Sequence, residues 1–231
     1  MGLARTEYER VLACLRELAP ADWSRPTECP GWDVHDMVGH VLGMAEMAAS
    51  VVELMRQMGS ATRRGGVFID ALTALQVAKH AGDTPEQLVA AFAEVAPKAA
   101  KGRRRAPGFV RRRTMPGDQP VGDRMEPWTF GFLVDVVLTR DPWMHRMDLA
   151  RAVGTQPRLT ADHDGVIVAD VAAEWAGRHG QPCSLTLTGP AGGTWSWGSD
   201  GPSVEQDAVE FCRLLSGRGG PAGVLGVQVP F

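Results

Sequence analysis

The sequence predicts an α+β protein: an antiparallel four-helix bundle over residues 1–155 followed by a small α+β domain over 156–231. Three observations carry this. Apolar residues recur at helical spacing through most of the first part. The composition changes after "TQPRLT". Beyond that point "CSLTLTG" alternates in the manner of a strand, and "GTWSWGS" follows as a hairpin partner across Gly-Pro-Ala-Gly-Gly.

The elements follow in order. In "RTEYERVLACLRELAP" the residues Tyr8, Val11, Leu12, Leu15 and Leu18 share helical spacing, and Pro20 ends the helix. A loop containing Pro26, Pro30 and Gly31 leads to Asp33, an N-cap for one long helix. Val34, Met37, Val38, Val41, Leu42 and Met44 form its buried stripe, and Gly59 with "TRRGG" closes it. Two helical pieces come next, joined at Gly82-Asp83. The second opens with Thr84 as N-cap, Pro85 at the first helical position and Gln87 completing a capping box. "KGRRRAPGFVRRRTMPGDQPVGDR" reads as a long basic loop. "PWTFGFLVDVVLTRDPWMHRMDLARAVG" returns to helix and stops at Gly154. In the second part "DHDGVIVADVAAEWAGRHG" is an amphipathic helix ended by Gly180. Ser203 with Gln206 reads as a capping box before a helix ending at Gly217, and "AGVLGVQVPF" as a final strand or tail.

Composition narrows the function classes. Hydrophobic residues make up 44% and charged residues 22% of 231, a normal soluble balance. A net charge of −3 exerts no global pull toward nucleic acid or anionic membranes. No apolar run approaches the roughly 20 residues that span a bilayer. The N-terminus carries charges throughout and lacks the apolar core of a secretory signal. The expectation is a cytoplasmic protein with no nucleic-acid or membrane partner. Its four scattered cysteines, Cys14, Cys29, Cys183 and Cys212, form no CxxC pair and read as buried free thiols.

Candidate chemistry centres on "TRDPWMHRMDLARAVG". On a helix, Asp141 and His145 lie one turn apart on one face, about 5–6 Å apart at Cβ, and Asp148 follows three residues after the histidine. Asp141 has a structural rival role: before Pro142 it can be the N-cap of a restarted helix. His40 falls beside the apolar stripe of the second helix, as a ligand or as a hydrogen-bonded core histidine. Arg103 to Arg105 and Arg111 to Arg113 read as solvated loop. The "GPAGG" segment opens no helix and lacks phosphate-loop geometry. Trp32, Trp143, Trp175, Trp195 and Trp197 read as packing residues.

"CPGWDVHDMVGHVLG" followed well downstream by "TRDPWMHRMDLARAVG" resembles the mycothiol-dependent maleylpyruvate isomerase family of the DinB-like metalloenzyme superfamily. The likeness runs over nearly the whole chain. "EFCRLLSGR" is similar to that family's C-terminal domain, which is related to sterol-carrier-protein-like folds. The resemblance implies a DinB-like bundle binding a divalent metal, usually zinc, through His40, Asp141 and His145. The family's acid is commonly glutamate; here it is the shorter aspartate. The resemblance also implies that Arg218 reaches the site, and that mycothiol is the thiol cosubstrate. The activity implied is a metal- and thiol-dependent transferase or isomerase acting on a small electrophilic, anionic substrate. The alternative is a non-catalytic metal- or ligand-binding protein that keeps the bundle. With the four cysteines placed outside the motifs, the nucleophile is expected to be a small-molecule thiol.

Overall fold

The computed structural model describes residues 2–220 and 223–231. The chain divides into two compact units: residues 1–120 with 124–156, and residues 121–123 with 157–231. No helix among the described residues is long and apolar enough to cross a membrane.

The first unit is built on four long helices: α1 (Gly2–Glu17), α2 (Val34–Ala49), α5 (Pro85–Arg105) and α8 (Leu138–Val153). Between α2 and α5 run α3 (Val51–Arg64) and α4 (Phe68–His80). Short turns α6 (Gly108–Arg111) and α7 (Phe130–Phe132), and strands β1 (Gln119–Val121) and β2 (Arg124–Glu126), lie between α5 and α8. The apolar stripes read from the sequence meet in one core. Tyr8, Val11 and Leu15 come from α1; Val34, Met37, Val38, Val41 and Leu42 from α2; Leu88, Phe92, Ala96 and Ala99 from α5; and Leu149 from α8. Asp33 caps α2, accepting from Asp36 N at 2.9 Å. Thr84 and Gln87 form the expected box at the start of α5, with Thr84 N donating to Gln87 Oε1 at 2.7 Å.

Three expectations for this unit need correction. The single long helix after Asp33 is two helices, broken at Ser50. That residue takes extended backbone (φ −136°) and accepts from Glu53 N to start α3, since a serine at such a position favours a new N-terminus over a continued helix. The basic segment is not all loop: α5 continues to Arg105, and α6 follows. Asp141 is not an N-cap, because α8 begins at Leu138 and carries both Asp141 and Pro142 inside it.

The last point has a physical cause. Pro142 has no N–H for the carbonyl of Leu138, and its ring crowds that carbonyl. The backbone yields upstream, where residues 133–137 form a π-helical turn and Leu138 has ψ near 1°. Arg103 then supplies the missing donor. Its Nη1 donates to Leu138 O at 2.8 Å, its Nε to Val134 O at 2.8 Å and its Nη2 to Thr139 Oγ1 at 2.5 Å. An arginine read as solvated loop is thus buried, and it pins the segment that presents Asp141.

The second unit packs α9 (Asp164–His179) and α10 (Ala208–Leu215) with a three-stranded sheet of β3 (Cys183–Thr188), β4 (Gly193–Trp197) and β5 (Ser203–Asp207), in the order β4-β3-β5. The β3–β4 hairpin is antiparallel, as expected, pairing Cys183 with Trp197. Trp175 is fully buried, with its ring 5.3 Å from Phe211 and 6.2 Å from Trp197. Ser203 and Gln206 form no capping box. They lie in β5, which pairs parallel to β3, and Asp207 caps α10 instead, accepting from Val209 N and Glu210 N. Of the final segment, Gly223–Gly226 is a 3-10 turn rather than a strand.

Candidate metal centre

The centre sits where α2 faces α8. His40 comes from the middle of α2, and Asp141 and His145 come from successive turns of α8. Asp141 Oδ1 lies 3.2 Å from His40 Nε2 and 3.3 Å from His145 Nε2. All three side chains are nearly buried.

The partners of the two rings decide their tautomers. Gln57 Nε2 donates to Gly43 O at 3.0 Å and to Glu53 Oε1 at 2.9 Å, both pure acceptors. Its Oε1 therefore accepts from Gln76 Nε2 at 2.9 Å, which turns Gln76 Oε1 toward His40 Nδ1 at 2.8 Å. An amide oxygen only accepts, so His40 carries a proton on Nδ1, which in the neutral ring leaves the lone pair on Nε2. Gly43 makes the relay possible, since a Cβ there would come within 2.6 Å of the Gln76 side chain. On the other ring, His145 Nδ1 donates to Asp148 Oδ2 at 3.0 Å, which in the neutral ring leaves the lone pair on Nε2. Imidazoles tied at Nδ1 with Nε2 presented inward are the usual arrangement of metal-ligating histidines.

With both rings neutral, two lone pairs and a carboxylate oxygen converge on one point, a set that holds together only around positive charge, a proton or a metal ion. Asp141 Oδ2 is buried with no hydrogen-bond partner. The edges of 3.2 and 3.3 Å match the roughly 3.3 Å between nitrogen and oxygen ligands of a tetrahedral ion with bonds near 2.0–2.1 Å. The donor set fits a borderline divalent metal such as zinc. The electrostatics show the same demand for positive charge beside Asp141. Burial alone would raise the Asp141 carboxyl, but the adjacent His40 and His145 outweigh it and hold it far below the usual carboxylate range. Burial would lower His145, and the Asp141 charge overrides it and raises the ring well above its ordinary value.

Two neighbours carry more than the sequence reading gave them. The turn Cys29-Pro30-Gly31-Trp32 closes with Trp32 N donating to Cys29 O at 3.0 Å, and Gly31 adopts φ +80°, the left-handed position of a Pro-Gly turn. This turn lays the Trp32 ring 5.2 Å from that of His40 and 6.3 Å from that of His145. Trp32 packs against the core, as expected, and also walls the centre. The same turn brings Cys29 Sγ to 3.8 Å from His145 Nδ1. The expectation that every cysteine stands outside the motifs is thus corrected: Cys29 opens "CPGW" and touches the centre. All four cysteines are free thiols, with Cys183 and Cys212 buried and Cys14 and Cys29 only half-buried.

The structure brings together His40, Asp141 and His145. Arg218 belongs to the second unit, just past α10. There Gly217 turns left-handed at φ +86°, Arg218 N donates to Arg213 O at 3.0 Å, and its Nη1 donates to Ser216 Oγ at 2.9 Å.

Two uncharacterized proteins of Mycobacterium tuberculosis are each 27% identical to this chain over 230 residues, covering 93% of it and 83% of their own length. Two crystal structures of the mycothiol-dependent maleylpyruvate isomerase, one of them a mutant, align with TM-scores of 0.58 and 0.57. They cover 94% of this chain and 88% of theirs at 17% identity, so this likeness establishes the fold. The family profile described as the mycothiol maleylpyruvate isomerase N-terminal domain matches residues 4–150, the span that holds the whole α2–α8 centre, and the chain belongs to that family.

Proposed function

We propose that the protein is a divalent-metal-dependent enzyme that uses a low-molecular-weight thiol, mycothiol, to transfer to or isomerise a small electrophilic, anionic substrate. The observation that carries this reading is the convergence of His40 Nε2 and His145 Nε2 on Asp141, with each ring held from behind at Nδ1. In this reading the bundle, residues 1–155, provides the metal ligands, and the C-terminal domain, 156–231, provides Arg218. The location is cytoplasmic, where the cosubstrate thiol stays reduced.

His40 and His145 offer neutral nitrogens and Asp141 a carboxylate, a set that favours zinc. A zinc ion held by these three residues would supply Lewis acidity, enough to acidify a thiol at the site to the nucleophilic thiolate. The chain's own residues prepare that chemistry. Gln76 and Asp148 hold the rings so that Nε2 cannot turn away. Trp32 and the apolar faces of α2 and α8 keep bulk water from the rings. Arg218 is assigned to a carboxylate of the substrate, which a guanidinium can grip with two parallel hydrogen bonds. A thiol that adds to the substrate and leaves again isomerises it; a thiol that stays is transferred.

The test is turnover of a panel of small electrophiles, maleylpyruvate among them, by protein supplied with zinc and mycothiol. Product formation is expected to require both, and to disappear on chelation and return on reloading. Arg218→Ala is expected to keep its metal and fold and to lose at least about tenfold in activity, the scale of one charge-assisted contact. Turnover that is indifferent to chelation contradicts the metal's role. Metal and thiol binding without turnover of any substrate supports the non-catalytic alternative, and full activity in Arg218→Ala removes that residue from the site.

A further inference from the structure

The His145 ring faces ligand-type atoms on both of its nitrogens. The Nε2 side is the centre described above. On the Nδ1 side, Cys29 Sγ stands 3.8 Å from His145 Nδ1 and 3.8 Å from Asp148 Oδ2, while Nδ1 and Oδ2 are 3.0 Å apart. One sulfur, one nitrogen and one oxygen thus lie within 4.8 Å of one another. A tetrahedral ion with bonds of about 2.0–2.3 Å separates such ligand atoms by roughly 3.3–3.6 Å. The observed edges bracket that range, and an ion among them replaces the hydrogen bond from His145 Nδ1 to Asp148 Oδ2.

The set is held rigidly. Asp148 is fully buried and His145 nearly so. The Cys29 backbone is fixed at both ends: its N–H donates to Thr27 Oγ1 at 3.2 Å, its carbonyl accepts from Trp32 N at 3.0 Å, and Thr27 Oγ1 donates to Trp32 O at 3.0 Å. S–H is a weak donor, and the same oxygen already receives the stronger N–H of His145.

We infer that Cys29 Sγ, His145 Nδ1 and Asp148 Oδ2 form a second divalent-ion site, one for a thiophilic ion. Thiolate, imidazole and carboxylate together favour zinc, and cobalt(II) takes the same tetrahedral donors with an optical signature. The ion takes the place of the thiol proton, which is released to solvent, while the His145 ring proton moves from Nδ1 to Nε2 so that a neutral imidazole ligates through Nδ1. It also competes with His145 for Asp148, so an ion here acts on the first centre as well as beside it. The inference shares His145 with the proposed function but uses neither His40 nor Asp141.

The experiment is a titration of metal-free protein with cobalt(II), followed by absorption. Sulfur ligation gives a near-ultraviolet thiolate-to-cobalt charge-transfer band, which the His40, Asp141 and His145 set cannot produce. The band is expected in the wild type, retained in His40→Ala and lost in Cys29→Ser, where oxygen replaces sulfur with little change of shape. Circular dichroism establishes that Cys29→Ser is folded. No band in the wild type overturns the second site, and so does a band that survives Cys29→Ser, which assigns it to another cysteine. If cobalt binds with the band alone and His40→Ala changes nothing, the first centre fails and the second stands. If cobalt binds without the band and His40→Ala abolishes binding, the second fails and the first stands.

Discussion

His145→Ala is expected to reduce bound divalent metal to a small fraction of the wild-type content while leaving the bundle folded. The ring supplies one of three nitrogen and oxygen atoms that meet at a single point, and the two that remain cannot enclose an ion. The substitution has a structural cost as well. Asp148 is fully buried and loses the N–H that its Oδ2 accepts at 3.0 Å, so about 1–3 kcal/mol of stability goes with it. Far-ultraviolet circular dichroism separates the two effects, because a helical spectrum retained alongside lost metal assigns the change to ligation. His40→Ala is expected to behave in the same way through the other nitrogen. Equal metal content in wild type and His145→Ala would remove the ring from the centre.

The largest effect on stability is expected from Arg146→Ala, one residue beyond the ligand. Arg146 projects toward α1 and grips Glu7, Nε to Oε1 at 2.7 Å and Nη2 to Oε2 at 3.0 Å. Both side chains are buried almost completely, at 1% and 0% exposure. Removing the guanidinium takes two charge-assisted hydrogen bonds from a buried carboxylate, and breaking such pairs costs about 3–5 kcal/mol. For a unit of this size that is a fall in Tm of roughly 6–20 °C. The pair as a whole is worth far less than this, because desolvation of both charges offsets most of their attraction. The double variant Glu7→Gln with Arg146→Met is therefore expected to recover much of the loss. A thermal melt of Arg146→Ala within a degree of wild type would show that Glu7 finds other compensation.

What was legible in the sequence and what was not divides along local and tertiary lines. The bundle helices were readable because each buries a stripe at helical period, as Val34, Met37 and Val41 do on α2. Asp141 and His145 were readable as a pair because one helical turn joins them. Whether Asp141 caps a helix start was not, since Asp-Pro is a sound start signal in isolation. What decides it is Arg103, a residue of α5 that satisfies the Leu138 carbonyl and lets the helix run through Pro142. Ser203 and Gln206 carry the letters of a capping box, yet pairing of β5 with β3 overrides them. The Gln57–Gln76–His40 relay left no trace in the sequence, because glutamines from α3 and α4 have no periodic relation to a histidine on α2. Cys29 and Trp32 had a usable signal, the Pro-Gly turn between them, which sets both side chains at fixed positions beside the rings.

The central claim is that Asp141 is a ligand in a metal centre shared with His40 and His145. Metal affinity of wild type against Asp141→Asn, with bound ion measured by elemental analysis after equilibration in metal-limited buffer, tests it most directly. The substitution keeps the size, the helix position and the hydrogen-bonding capacity of the side chain, and Asn and Asp cap comparably in any case. It removes the charge, and one acceptor oxygen, that draw a cation between two imidazole rings. Wild type is expected to retain the ion, and Asp141→Asn to lose most of it with an unchanged circular dichroism spectrum. Equal retention in the two proteins would contradict the centre.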